Sequence, residues 1–421
     1  MGNSYIERAL DPITWNILDR DIFEGLVEGS IRPIVRKEIL PKREKMKAAK
    51  EVPDELVSLM AENHFFGMSI PTEYGGLGLG TTGDSLLIYE LARGDMSASL
   101  IPLVTTSLFG RTVQVGGNDE QKKRILPGVA SGQIFGCYGL TEPGGSSFPG
   151  SIKTTAIKIG DRYFLKGEKN FITEAQRAHM GAFVARIEGA PHPGYGVFLV
   201  PNSRFNPGNG YVVTKMEDKI GLKASATCAL SMDDVEVPET DLLGLDFEGK
   251  KGMQVGLETL GWSRDTIASQ ALGNAAEALD FSMGYASTTE RGGNSRIIDV
   301  TDVRRRYSVA LSELGQGLSY VWTVASLHDK EGLRGNTARQ TSSALKALAT
   351  DTSVRICLEA MQLMGGYGYL HDFPVGDRLL DSLVTPIYEG ENGLQWDHAG
   401  GYLARDLYAF HGVLPPQERR R

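Results

Sequence analysis

The chain has 421 residues, of which 41% are hydrophobic and 23% charged, ordinary proportions for a globular protein of two or three domains. A formal net charge of −8 argues against the basic face of a nucleic-acid binder, and no apolar run approaches the ~18–20 residues that span a bilayer. Cys137, Cys228 and Cys357 lie far apart with no metal-ligand spacing, and the N-terminus is too acidic for a transit peptide, so no metal site and a reducing cytoplasm are expected.

Helical periodicity runs from about residue 15 to 132. Pro53-Asp54-Glu55 opens one helix with acidic residues in its first turn, and Pro71-Thr72-Glu73-Tyr74-Gly75-Gly76 predicts a turn. From about 134 to 245 the pattern changes to short strands. Residues 163–167, 182–187 and 195–200 are aromatic and β-branched and are bounded by Gly or Pro. From about 250 the chain returns to long helices over 252–290, 302–331, 336–365 and 391–410. Short loops between them predict an antiparallel four-helix bundle, with Leu311, Leu314, Leu318 and Val321 in its core. The expected domains are therefore 1–132 (α-helical), 133–246 (β) and 247–421 (α-helical bundle), an α+β architecture.

Four segments carry chemistry. Tyr138-Gly139-Leu140-Thr141-Glu142-Pro143-Gly144-Gly145-Ser146-Ser147 combines hydroxyls with glycines that allow close backbone approach to a ligand; taken bare, it is a strand-ending turn. No βαβ unit surrounds it, so it is not a dinucleotide fingerprint. Lys169-Asn170-Phe171-Ile172-Thr173 reads as a strand with a ring suited to stack on a planar group. Lys219–Thr227, leading to Val235-Glu236-Val237-Pro238, reads as a hairpin and edge strand. In the fourth, Gly365 and Gly366 cap a helix that ends near Gln362, and Tyr388-Glu389-Gly390 follows.

In this order and at these separations, from about Pro53 to Gln395, the four segments resemble the acyl-CoA dehydrogenase family. Ser69–Gly78 and Ala344-Leu345-Lys346-Ala347 add to the likeness. The resemblance implies an N-terminal α-helical domain, a central β-barrel-like domain and a C-terminal four-helix bundle, with FAD and an acyl-CoA thioester held among them. It implies homotetramers and electron-transferring flavoprotein as the electron acceptor. It places FAD against Tyr138, Leu140, Thr141, Phe171, Ile172 and Thr173, with Arg291, Gln362 and Gly366 reaching FAD across a subunit boundary. Substrate would meet Ser147, Arg264, Tyr388 and Gly390, and Glu389 would be the base. One branch of the family carries its glutamate immediately before the arginine; Ser263 stands there, so Glu389 is the candidate.

The reaction so implied is α,β-dehydrogenation to a 2-enoyl-CoA. Glu389 would remove the α-proton while flavin N5 accepts the β-hydride, and donors at the thioester oxygen would lower the barrier. An exposed glutamate is a weak base, so burial is expected to tune it. An acyl-CoA oxidase, or a non-catalytic flavin-binding homologue, would share much of this pattern. The chain departs from the family at Glu391, Asn294 and Asp302, where Thr, Phe and Gln are expected near FAD. Ser99 replaces the arginine of glutaryl-type relatives. Together with Ser97, Leu100, Ile101, Leu103 and Thr105 it suggests a neutral acyl group.

Overall fold

A computed structural model describes residues 4–144, 151–190, 194–244, 252–332 and 336–412. The chain divides into two compact units. One is formed by Met1–Leu40, Ser85–Met96 and Arg264–Arg421, the other by Pro41–Asp84 and Ser97–Ser263. Among the described residues no helix is long and apolar enough to cross a membrane.

The second unit is built on a mixed eight-stranded sheet. Its strands are β1 (Gly136–Gly139), β2 (Thr155–Ile159), β3 (Arg162–Thr173), β4 (Met180–Ile187), β5 (Tyr195–Pro201), β6 (Val212–Met216), β7 (Thr227–Pro238) and β8 (Leu242–Leu243). They run in the order β6-β7-β3-β2-β4-β5-β8. Gly181–Ala185 and Gly196–Val200 are buried throughout, as expected of strands covered on both faces. β4 holds β5 antiparallel on one edge. Its other edge takes β1 in parallel through Gly136↔Met180 to Gly139↔Phe183, then β2 in parallel through Thr155↔Arg186. In β3 buried and exposed residues alternate over its first half, the mark of a half-solvated antiparallel strand.

The expected barrel does not form. Closure needs hydrogen bonds between the two end strands, and β6 and β8 do not pair. β8 is only two residues long, and β6 is exposed over most of its length, so the sheet stays open.

One helix of this unit starts where a side chain satisfies a free amide. Asn118 caps Asp119–Ala130 and forms a reciprocal capping box with Gln121. The predicted start at Pro53 gives the helix Asp54–Glu62. The predicted turn is a single 3₁₀ turn, Thr72–Tyr74, ended by Gly75 at φ +82°.

The first unit is helical. Its long members are Arg264 onward of Gly252–Thr288, then Thr301–Glu331, Asn336–Leu363 and Asn392–Phe410. Leu314, Leu318 and Val321 are buried as predicted. Leu311 is half-buried, lining a 640 Å³ groove with Leu10 and Ile13. Two devices bind the outlying segments. Arg32 is buried and donates to Glu90 at 2.8 Å and to Asp11 at 2.7 Å, while Arg93 donates to Glu7 at 2.7 Å. The guanidinium of Arg378, also buried, donates to the carbonyls of Ala92, Arg93 and Gly94 at 2.7–2.8 Å. It thereby closes the C-terminus of Gly80–Gly94, where orphan carbonyls favour a cation.

Candidate active site

Six of the residues assigned to the flavin, Tyr138, Leu140, Thr141, Phe171, Ile172 and Thr173, lie in the second unit on two adjoining strand ends. Tyr138 is buried at the end of β1, and the chain leaves that strand through half-buried Leu140 and Thr141. The Asn170 amide donates to the Thr141 carbonyl at 2.9 Å, tying this segment to β3. In β3 the pairing with β7 slips between Lys169↔Leu230 and Ile172↔Cys228, leaving one extra residue. That bulge puts Phe171 at φ +59°, a left-handed conformation rare for an aromatic residue, and turns its ring outward at 61% exposure. Ile172 is buried beneath it, and Thr173 is half-buried beyond.

Two buried carboxylates brace this surface. Glu142 accepts from the Lys153 and Thr154 amides and from the Lys169 ammonium, the last at 2.8 Å. Burial drives the Lys169 ammonium down to about 8 against the pull of Glu142. The same burial pushes Glu142 upward, but Lys169 and the converging donors outweigh it and leave the carboxyl below its usual value. Glu174, also left-handed at φ +56°, accepts from Ser225 Oγ at 3.1 Å and the Ala226 amide at 3.0 Å. It fastens the Lys219–Thr227 segment beside Thr173, and its pKa is raised by burial. An outward ring and two threonines on a braced, bulged edge fit a planar heteroaromatic group that needs a stacking face and hydrogen bonds. Ser147 lies outside the described residues.

The candidate base, Glu389, lies in the first unit, in the connection between Val375–Ser382 and Asn392–Phe410. Glu389 is half-buried at φ +56°, followed by Gly390 at φ +94°. Consecutive left-handed residues make a tight turn, and a non-glycine there is a costly choice. The turn is held from several sides. The Lys346 ammonium, completely buried in Asn336–Leu363, donates to the Gly390 carbonyl at 2.8 Å and to Asn392 Oδ1 at 2.9 Å. Asn392 in turn donates to Thr350 Oγ1 at 2.9 Å and Asp351 Oδ1 at 2.8 Å. Its amide donates to the Pro386 carbonyl at 3.0 Å, closing the loop. The Tyr388 hydroxyl donates to Gln270, and burial, with the charge of Glu389, keeps that phenol well above 10.

Arg264 belongs to the same cluster. Its Nη1 donates to Ser343 Oγ at 3.0 Å. Burial lowers its pKa, while Tyr402 and Glu389 pull it back up. Burial also takes Lys346 down to about 8, opposed chiefly by the charge of Glu389. The carboxylate of Glu389 therefore shares its surroundings with two cations. Next to Arg264, the Asp265 carboxylate meets His328 Nδ1 at 2.6 Å, with neither side chain exposed.

The structure brings Arg264, Tyr388, Glu389 and Gly390 together in one cluster, and Tyr138, Leu140, Thr141, Phe171, Ile172 and Thr173 on one edge. The remaining described candidates come from other segments of the first unit. Arg291 is exposed in the short hairpin strand Glu290–Gly292, with Asn294 left-handed at φ +62°. Gln362 accepts from Arg306 at 3.1 Å, Gly366 is exposed, and Asp302 pairs with Arg305 at 2.7 Å. Glu391 caps the last helix by accepting from the Leu394 amide at 3.1 Å. Lys346 was visible only as a family signature, although a lysine inside Ala344–Ala349 is the one charge in an otherwise apolar run. Gln270 gave no signal in the sequence.

The second unit thus offers a stacking edge suited to a planar group, and the first unit a carboxylate held among cations. Three domain models match the chain in series: acyl-CoA dehydrogenase N-terminal domain over residues 25–133, middle domain over 137–235 and C-terminal domain over 250–401. The chain is 35% identical to an acyl-CoA dehydrogenase of Bacillus subtilis, over 88% of this chain and 95% of that one. It is 32% identical to a subunit of the caffeyl-CoA reductase–Etf complex of Acetobacterium woodii, over 84% and 91%. A glutaryl-CoA dehydrogenase of Mycobacterium smegmatis, solved with FADH2, superposes with a TM-score of 0.84 at 26% identity, over 94% of this chain and 97% of that one. The chain belongs to the acyl-CoA dehydrogenase family of FAD-dependent oxidoreductases.

Proposed function

We propose that this protein dehydrogenates a neutral acyl-CoA thioester to its 2-enoyl-CoA, with Glu389 as the α-proton base, and passes the electrons to electron-transferring flavoprotein. The observation that carries the reading is the left-handed turn at Glu389 and Gly390, held by buried partners around one half-buried carboxylate. Residues kept in costly backbone conformations concentrate where geometry serves chemistry.

In this reading FAD, when bound, supplies the acceptor for the β-hydride. Phe171 gives its ring a stacking face, and Thr141 and Thr173 give it hydroxyl donors. Glu389 takes the proton from the carbon next to the thioester carbonyl. The negative charge that then gathers on the thioester oxygen is stabilised by the Glu389 amide. Lys346 and Arg264 supply the cations in the surroundings of that carboxylate. Tyr388, fixed through Gln270, and Gly390 shape the wall against which the acyl chain lies. Arg291, Gln362 and Gly366 would reach FAD only from a neighbouring copy, in a homotetramer.

The buried Ser97, Ser99, Leu100, Ile101, Leu103 and Thr105 bring no charge to the acyl end, which supports a neutral acyl group over a dicarboxylic one. The Etf-complex relative supports electron-transferring flavoprotein over oxygen as acceptor. The test is anaerobic titration of the flavin-loaded protein with linear, branched, alicyclic and dicarboxylic acyl-CoAs, followed by reoxidation with the flavoprotein or with oxygen. Bleaching by neutral acyl-CoAs is expected; no bleaching by any of them would overturn the reading.

A further inference from the structure

We infer that Lys346 is a positioning residue for the reaction: from inside Asn336–Leu363 its ammonium holds the Gly390 carbonyl and so fixes the direction in which Glu389 presents its carboxylate. The inference rests on the function proposed above. Its geometric basis is a fully buried lysine that spends its donors on the two residues flanking position 391 rather than on an acid. The bonds are 2.8 Å to the Gly390 carbonyl and 2.9 Å to Asn392 Oδ1.

A lysine without exposure is among the most costly residues a core can carry, and an apolar side chain would fill the same volume without that cost. Its ammonium does what an apolar side chain cannot. Gly390 and Glu389 both sit at positive φ, a conformation that at a non-glycine residue persists only where the surroundings over-determine it. A charge-assisted bond to the carbonyl of the second left-handed residue is one such determinant. The contact with Asn392, itself bonded to Thr350 and Asp351, extends the clamp to the first turn of the following helix. The charged groups that face Lys346 are Glu389, Arg264, Asp351 and Glu391. Of these, Glu389 gives the strongest favourable charge and so stabilises the ammonium. With the lysine at about 8, the clamp weakens as the pH rises past that value.

The experiment uses the flavin-loaded protein and its Lys346→Met variant. Stopped-flow flavin reduction by a saturating acyl-CoA is followed from about pH 5.5 to about pH 9.5, a window that brackets the ordinary histidine and α-amino pKa values. Hydrogen exchange of the peptide spanning residues 386–392 is measured alongside. Three results are expected of Lys346→Met. Reduction slows on the order of 100-fold, the loss that follows from misplacing a reacting group by about 1 Å. The fall in rate above about pH 8, where the wild-type lysine loses its proton, is absent. The Asn392 amide exchanges roughly tenfold faster, because the loop it closes has come loose.

A variant with wild-type rate and profile overturns the inference, and so does a slower variant whose rate still falls above about pH 8 as in wild type and whose loop exchange is unchanged. Should Lys346→Met fail to fold, Asn392→Ala, which keeps the ammonium but removes half its clamp, is expected to speed loop exchange and slow reduction in the same direction; no change in either overturns the inference. If no acyl-CoA reduces the wild-type flavin, the proposed function fails, while the exchange measurement still reports on the clamp.

Discussion

Lys169 and Glu142 form an ion pair at 2.8 Å in which neither side chain is more than 8% exposed, and this pair anchors the loop that follows β1. The pair is built asymmetrically: Lys169 also donates to the Val184 carbonyl at 2.7 Å, whereas Glu142 collects two backbone amides. Removing the lysine strands a buried carboxylate, which costs about 3–5 kcal/mol. Lys169→Met is therefore expected to lower the melting temperature sharply and to be purified with less flavin, read from the ratio of visible to ultraviolet absorbance. Because the Glu142 pKa is lowered in the fold, its stabilising share is present above its ordinary range and is lost as the pH falls through the folded value. Glu142→Gln should thus be less stable than wild type at neutral pH, and the gap should narrow as the pH falls below the ordinary glutamate value through the lower folded one.

Phe171 presents the opposite case, a residue whose value to the fold is small. Its ring is 61% exposed and its backbone is left-handed, so the fold gains little from the side chain and bears the strain of the conformation. Phe171→Gly is expected to leave the flavin-free protein as stable as wild type or up to about 1 kcal/mol more stable, since glycine adopts this backbone freely. The same change should weaken FAD binding about tenfold or more, the value of one lost stacking surface. Thermal unfolding without flavin and a flavin titration measure the two sides separately.

The helices could be read from the sequence because their signals are local. Pro53-Asp54-Glu55 and the long apolar stripes mark their own positions, and the structure has helices Asp54–Glu62, Thr301–Glu331 and Asn336–Leu363 where the pattern puts them. The sheet was legible only strand by strand. Whether β6 meets β8 depends on contacts remote in sequence, and the two-residue length of β8 has no local signature. The site divides in the same way. Glu389 stands out through its neighbours in the chain, but the residues that clamp it, Lys346 and Gln270, come from helices far away in sequence and reach it only through packing. The bulge at Phe171 was missed because an alternating strand pattern does not reveal where its partner slips by one residue.

The buried pair His328 and Asp265 should make stability depend on pH in the opposite sense to Glu142. Burial alone would lower the histidine, but Asp265 raises it above its ordinary value. Its stabilising share is then complete below the unfolded value of ~6.5 and is lost as the pH rises through the folded one. Asp265, raised by burial, acts in the same sense. His328→Asn should cost more stability at pH 6 than at pH 8.5, with both values chosen to flank about 6.5. Paired urea unfolding curves measure the difference, and an equal cost at both pH values would mean that the imidazole stays neutral throughout.

Glu389→Gln separates binding from chemistry at the base. Gln keeps the size and the backbone of the turn, and the bonds from Lys346 run to Gly390 and Asn392 rather than to the base itself. The loop should therefore hold, and the variant should take up FAD and acyl-CoA with near wild-type affinity. What it lacks is a proton acceptor. Flavin reduction should fall by about 10²–10⁴-fold, the usual contribution of a positioned base, while the flavin spectrum still shifts when acyl-CoA binds. A second consequence distinguishes loss of the base from a general disturbance. The charge of Glu389 is the main force raising the Lys346 pKa against burial, so without it the ammonium should lose its proton at a pH lower than about 8. In the variant, hydrogen exchange at the Asn392 amide should therefore exceed its intrinsic increase with pH at a lower pH than in wild type. Rapid bleaching by an acyl-CoA, with the loop as protected as in wild type at every pH, would remove Glu389 from the mechanism.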